Sequence, residues 1–130
     1  MKKLLVVDDV QALADSMATL FELLGYQTRA AYDGLQAVRA ANEERPDIVF
    51  LDLKMPVLDG YAAARAIRDR YPSLPPLIVA VSATVDRAAE GRLSEAGFDR
   101  CVTKPADVDE LIAIVEQAPG DEGPLNASDS

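Results

Sequence analysis

No histidine occurs in this 130-residue chain, and cysteine occurs once, at Cys101. Together these absences remove the usual nitrogen and sulfur ligands of zinc. A single thiol also excludes an intrachain disulfide framework and suits a reducing, cytoplasmic compartment. Aromatic residues make up only 5% of the chain. Tyr26, Tyr32, Tyr61 and Tyr71 are too scattered to form a platform for stacking nucleic-acid bases. Positive charge is scarce as well: 13 Lys and Arg against 22 Asp and Glu leave a net charge of -9. Such a surface repels nucleic-acid phosphates, so direct nucleic-acid binding by this chain is not expected. No apolar run approaches the length of a membrane span. The start, Met1-Lys2-Lys3, is followed by only four apolar residues before Asp8 and Asp9, which makes that run a strand rather than a signal peptide. No glycine-rich phosphate loop follows a strand, which argues against a dinucleotide or ATP site.

What is present is a regular alternation of strand and helix from Lys3 to about Gln117. A chain of this length is one domain and can bury a real core. Leu4 to Asp8 is a short apolar strand. Leu13, Met17, Leu20, Phe21 and Leu24 form a helical stripe over Val10 to Leu24, and Gly25 closes that helix. Gln27 to Ala31 is a weaker strand. Leu35, Val38 and Ala41 share a helical face that Pro46 terminates. Ile48 to Asp52 is apolar on both faces, as a buried parallel strand is. A helix following Asp59-Gly60 runs to about Tyr71, and Leu77 to Val81 is the fourth strand. Asp86 can cap a helix that reaches Ala96 and stops at Gly97. Cys101-Val102-Thr103 anchors a fifth strand. Asp107 caps the last helix, with Val108, Leu111, Ile112 and Val115 inward. Five βα units in this order predict a single doubly wound α/β domain over 1–117, with helices on both faces of the sheet. The segment 118–130 is rich in Gly, Pro, Asp and Ser, is acidic, and reads as a disordered tail.

In open α/β sheets, ligands sit outside the carboxyl ends of the strands. Asp8, Asp9, Asp52, Ser82 and Lys104 all fall at such ends. Any one of them alone reads as a strand-end residue meeting solvent; five together in one chain do not. Two carboxylates about 4 Å apart repel by roughly 4 kcal/mol at an effective dielectric near 20. Three in one cleft must protonate, splay apart or bind a cation. An all-oxygen set suits Mg²⁺, which accepts carboxylate and phosphate oxygens, and Mn²⁺ can substitute. Asp52 is the candidate nucleophile, because a carboxylate can attack a phosphoryl group to give an acyl phosphate. Lys104 supplies a compact cation, and the Ser82 hydroxyl can bond a phosphoryl oxygen. An aspartate-nucleophile phosphatase would need a second Asp two residues later, where Lys54 stands.

The motifs Val-Val-Asp8-Asp9, Leu-Asp52-Leu-Lys-Met-Pro56, Asp59-Gly60, Val-Ser82-Ala83 and Thr-Lys104-Pro105 occur in this order. With them the chain resembles the response-regulator receiver domain of two-component signalling over residues 3 to about 117. The resemblance implies a flavodoxin-like sheet of order 2-1-3-4-5. It implies Mg²⁺ held by Asp8, Asp9, Asp52 and the backbone carbonyl of Lys54. It also implies transfer of a phosphoryl group to Asp52 from a histidine kinase or histidine phosphotransfer protein. In that reading the chain promotes its own phosphorylation and dephosphorylation without being a conventional turnover enzyme. Lys54 and Thr84 would tune the rate, and a cis Lys104–Pro105 bond would aim the lysine inward. Partners would dock around Gln11, Ala14, Asp15, Pro105 and Ala106, and a downstream output protein or domain would read the state. Two departures stand out: Cys101 occupies a switch position where Tyr or Phe is usual, and Ala106 one where Phe is frequent. The alternatives are an interaction module that is never phosphorylated, or a receiver fragment of a larger regulator or hybrid kinase.

Overall fold

A computed structural model describes residues 2–55, 57–83 and 87–118, with the backbone alone for 87–90. The elements alternate as β1 (Lys3–Val7), α1 (Gln11–Leu23), β2 (Gln27–Ala31), α2 (Gly34–Glu43), β3 (Ile48–Asp52), α3 (Gly60–Arg70), β4 (Leu77–Ser82), α4 (Arg87–Ala96), β5 (Arg100–Thr103) and α5 (Val108–Gln117). All pairings are parallel, and the strand order is β2-β1-β3-β4-β5. The predicted Asp86 cap, Thr84 and the tail from Pro119 lie outside the described residues. Ala118 is the C-cap of α5 and is buried.

The central strands are apolar throughout because both faces of the sheet are covered. Leu4, Val6, Ile48, Phe50, Val79, Val81 and Val102 pack into one core with α1 and α5. Their sequence neighbours Leu5, Val7, Val49, Leu51, Ile78 and Ala80 pack into a second with α2, α3 and α4. The period-2 alternation of strand side chains produces this split.

Helices α1, α2 and α3 approach the sheet largely on small residues, and here the apolar stripes need correction. On α1 the buried residues are Ala14, Ala18 and Phe21, with Phe21 stacked on Phe50 at 5.8 Å. Leu13 and Leu24 are 52% and 49% exposed. Short side chains beside Phe21 let the helix lie close to the sheet, and Leu13 and Leu24 flank the contact. On α2 the buried face is Gly34, Ala37, Ala40 and Ala41, and Leu35 is exposed. Val108, expected inward, opens α5 at the mouth of a groove and is 46% exposed. Leu111, Ile114 and Val115 form the buried side of that helix.

Two aspartates organise the amino ends of the strands. Asp47 is buried; its carboxylate accepts from the Lys3 N–H at 2.7 Å and from Arg45 at 3.1 Å. Its own N–H donates to the Lys3 carbonyl and its carbonyl accepts from the Leu77 N–H, so one residue ties together the starts of β1, β3 and β4. Asp99 does the same for β4, accepting from the Ile78 N–H at 2.9 Å. At the opposite ends of the helices, Asp33, Asp59 and Asp107 cap α2, α3 and α5 through side-chain bonds to backbone N–H groups.

Candidate functional site

The carboxyl ends of β1, β3 and β5 carry the charged groups. Asp8 directly follows β1, Asp52 is the last residue of β3, and Lys104 directly follows β5. The parallel register sets Val7 beside Leu51, Asp52 beside Val81 and Ser82 beside Thr103, which aligns these ends. The Lys104–Pro105 peptide bond is cis, as the resemblance implies. The Lys104 N–H donates to the Ser82 carbonyl at 2.8 Å. From there the Lys104 ammonium donates to Asp8 Oδ2 at 2.9 Å and to Asp52 Oδ2 at 3.4 Å.

The remaining carboxylate oxygens face backbone donors. Asp8 Oδ1 accepts from the Val10 N–H at 2.9 Å and Asp52 Oδ1 from the Lys54 N–H at 3.3 Å. Asp8 and Asp52 are buried, while Asp9 is exposed at the mouth. Each of the three offers an oxygen within 4.8 Å of the others. Burial pushes the Asp52 carboxyl up from the ordinary range, and the nearby Asp8 charge adds to this; Lys104 and the Lys54 N–H oppose it without cancelling it. For Lys104, burial acts to lower the pKa. The hydrogen bond to Asp8 and the charges of Asp52 and Asp8 outweigh it, so the pKa is raised and the group stays an ammonium. The site therefore holds one fixed cation against three carboxylates, a balance that favours a second cation. Its donors are all hard oxygens, which fits Mg²⁺ and not a nitrogen- or sulfur-seeking metal.

The Asp59-Gly60 pair supplies a further part of the site. A Cβ on Gly60 would lie 2.3 Å from the Asp52 carbonyl oxygen and 2.8 Å from the Leu53 Cα. Only glycine lets α3 begin against the end of β3, where its N–H donates to the Leu53 carbonyl at 3.0 Å. The dipeptide was visible in the sequence; its reason, a backbone contact with the residue bearing the candidate nucleophile, exists only in space.

Other expected site residues divide. Ser82 is buried at the end of β4, and Lys54 is exposed on the loop after Asp52. Gln11, Asp15 and Pro105 are exposed and Ala106 is half-buried, as docking residues can be. Ala14 is fully buried. It faces the sheet between Gln11 and Ala18, so it cannot touch a partner and is removed from that set. Asp15 carries a bond that no sequence pattern announced: the Tyr32 hydroxyl donates to its Oδ1 at 2.6 Å. The carboxylate acceptor pushes the Tyr32 pKa up. Cys101 is exposed and pairs in register with Ala80, on the side of the sheet covered by α2, α3 and α4.

Known proteins are similar to this chain in sequence and fold. The family model described as the response regulator receiver domain matches residues 4–116. The transcriptional regulatory protein PrrA of Mycobacterium tuberculosis is 37% identical over 114 residues, covering 88% of this chain and 48% of that protein. The chain thus spans about half the length of the curated relatives it matches. The receiver domain of sensor histidine kinase PA1611 from Pseudomonas aeruginosa, solved with a magnesium ion coordinated in its active site cleft, superposes with a TM-score of 0.80 at 31% identity. That match covers 90% of this chain and 96% of that one. A response regulator protein from Burkholderia pseudomallei, solved with a phosphorylated aspartic acid, a calcium ion and citrate, gives 0.79 at 26% identity, over 87% of this chain and 65% of that one. Matched over residues 4–116, and carrying the acidic cluster and lysine at the expected strand ends, the chain belongs to the response regulator receiver domain family.

Proposed function

We propose that this chain is a phosphoacceptor switch in which Asp52 receives a phosphoryl group from a phosphohistidine of a histidine kinase or histidine phosphotransfer protein. The observation that carries the reading is the convergence of Asp8, Asp9, Asp52 and Lys104 at one end of the sheet, with Lys104 bridging two carboxylates. A carboxylate oxygen of Asp52 attacks phosphorus, the donor P–N bond breaks, and the leaving imidazole keeps the bonding pair and takes up a proton. The product is an acyl phosphate on Asp52. Lys104 would exchange its carboxylate contact for an oxygen of the arriving phosphoryl group, and the Ser82 hydroxyl would bond another. The backbone N–H of Lys54 already holds one oxygen of Asp52 and so orients the attacking one. Catalysis of such a transfer is mostly positioning and charge neutralisation.

Asp8, Asp9 and Asp52, with the backbone carbonyl of Lys54, would hold Mg²⁺, with Mn²⁺ as a substitute. When bound, the ion neutralises charge on the phosphoryl oxygens. The magnesium in the PA1611 receiver domain supports this assignment. Lys54 and Thr84 would set the lifetime of the phosphoryl group, and Gln11, Asp15, Pro105 and Ala106 would contact the donor. An output protein or domain would read the state in the cytoplasm. Among the described residues no helix is long and apolar enough to cross a membrane.

Incubation with acetyl phosphate and Mg²⁺, followed by intact-mass measurement, tests the proposal. Wild type should gain one acid-labile phosphoryl group and Asp52→Ala none. Labelling of Asp52→Ala at the wild-type rate would remove Asp52 from the reaction.

A further inference from the structure

The turn that carries Asp8 and Asp9 leaves β1 at Val7 and enters α1 through its N-cap, Val10. Two consecutive residues of the neighbouring chain segment hold it. The Asp8 N–H donates to the carbonyl of Ala31, the last residue of β2, at 3.2 Å. One residue on, the Tyr32 hydroxyl donates to Asp15 Oδ1, in the second turn of α1, at 2.6 Å. Ala31 and Tyr32 thus grip the segment 8–15 at both ends. Tyr32 is itself fixed: its N–H donates to Gln36 Oε1 at 3.0 Å, and its half-buried ring packs against the core on the α1 side of the sheet. The Asp15 carboxylate pushes the hydroxyl pKa up, so the donor keeps its proton at neutral pH.

Helix α1 needs such a tether. Valine at its N-cap has no side-chain acceptor for the open N–H groups, and its first turn carries no acid. Helices α2, α3 and α5 each begin on a capping aspartate instead. Asp8 has holds of its own, from the Val10 N–H and Lys104. Asp9 is exposed, and the backbone of the turn sets where its carboxylate stands. From this geometry we infer that Tyr32 is a positioning residue for the metal site, acting through Asp15 to hold the turn in the form that keeps Asp9 beside Asp8 and Asp52. The inference rests on the assignment of Mg²⁺ to those three carboxylates. Contacts behind the ligands orient them and so enter the affinity for the ion. A loose turn must be ordered when the ion binds, which weakens binding; a turn already gripped has less freedom to lose.

Calorimetric titration of the full chain with Mg²⁺, without a phosphodonor, tests the inference. Tyr32→Phe removes one hydroxyl and keeps the ring and every charge. It should raise the Mg²⁺ dissociation constant roughly threefold or more, short of the roughly 10–100-fold expected where the lost partner bonds the ligand itself. Asp15→Ala should weaken binding at least as much, and Asp15→Asn, which keeps an acceptor oxygen, less than Asp15→Ala. Adding Tyr32→Phe to Asp15→Ala should weaken it no further, because the bond is already gone. In chelator, the backbone amides of residues 10–15 should exchange hydrogen faster in Tyr32→Phe than in wild type. Tyr71→Phe, which loses a hydroxyl bond to the Ala41 carbonyl away from the site, should leave the dissociation constant unchanged. Equal dissociation constants for Tyr32→Phe and wild type would overturn the inference, even with a lower Tm in chelator, since the bond would then serve the fold alone. So would additive losses in the double variant, or equal losses in Asp15→Asn and Asp15→Ala, which would assign the effect to charge. Absence of Mg²⁺ binding by wild type would instead overturn the metal assignment, and the inference with it.

Discussion

At the scale of single residues, Val57 is the clearest conflict between side chain and backbone. Its φ is 70° and it is not glycine. A β-branched residue there is a true outlier, because the left-handed region costs an L-residue about 1–2 kcal/mol. Its side chain is 76% exposed, so little burial offsets that cost. Val57→Asn should therefore raise stability by about 1 kcal/mol, since Asn tolerates this conformation by bonding locally. Urea unfolding checks it, with Val57→Leu as a control that gains nothing. An unchanged or lower midpoint for Val57→Asn would show that the strain is not there to be relieved. Nothing in the sequence marks this position, because strain depends on a dihedral angle and not on composition. Asp8, Asp9, Asp52 and Lys104 were legible for the opposite reason: charge next to an apolar run is visible without coordinates. The Tyr32–Asp15 bond was not, since the turn after β2 and helix α1 supply one partner each and neither residue is unusual where it stands.

At the scale of elements, aspartates at the two ends of the sheet have different tasks. Asp47 and Asp99, at strand starts, spend their oxygens on backbone N–H groups of neighbouring strands. Asp8 and Asp52, at strand ends, share one lysine with each other. Asp47→Ala should remove the acceptor of the Lys3 N–H and the partner of Arg45, lowering stability by about 1–3 kcal/mol. Asp47→Asn keeps a carbonyl acceptor and should lose less. Both variants, once folded, should accept phosphate at Asp52 at the wild-type rate. Slower labelling of the folded variants would mean that Asp47 reaches the site. Element identities and order were readable because strands buried on both faces are continuously apolar and helices are periodic. The inward face of α1 was read only in part, with Phe21 buried as expected and Met17 packed at the core's edge, because periodicity ranks residues by size and hydropathy. Close packing on a sheet instead selected Ala14 and Ala18 over Leu13 and Leu24.

For the whole molecule, a cation held at the acidic cluster as proposed would be linked to folding. Three carboxylates with oxygens within 4.8 Å of one another, two of them buried, are brought together only by folding. In the unfolded chain, Asp52 is far along the sequence from Asp8 and Asp9, so a divalent ion binds the native state far better. At ten times its dissociation constant, such an ion stabilises by about 1.4 kcal/mol, which for a domain of this size is a rise in Tm of roughly 5 °C. Asp9→Ala separates the two sides of the balance. Asp9 is the exposed member of the cluster, and no core packing depends on it. Without Mg²⁺ the variant should be at least as stable as wild type, because one of the mutually repelling charges is gone and Lys104 still bridges Asp8 and Asp52. With Mg²⁺ its Tm should stay where it was, because a hard oxygen ligand is missing. Thermal melts of both proteins across a Mg²⁺ titration decide the matter. Equal Mg²⁺-induced shifts would remove Asp9 from the metal site, and a variant less stable than wild type in chelator would show that Asp9 supports the fold rather than the ion.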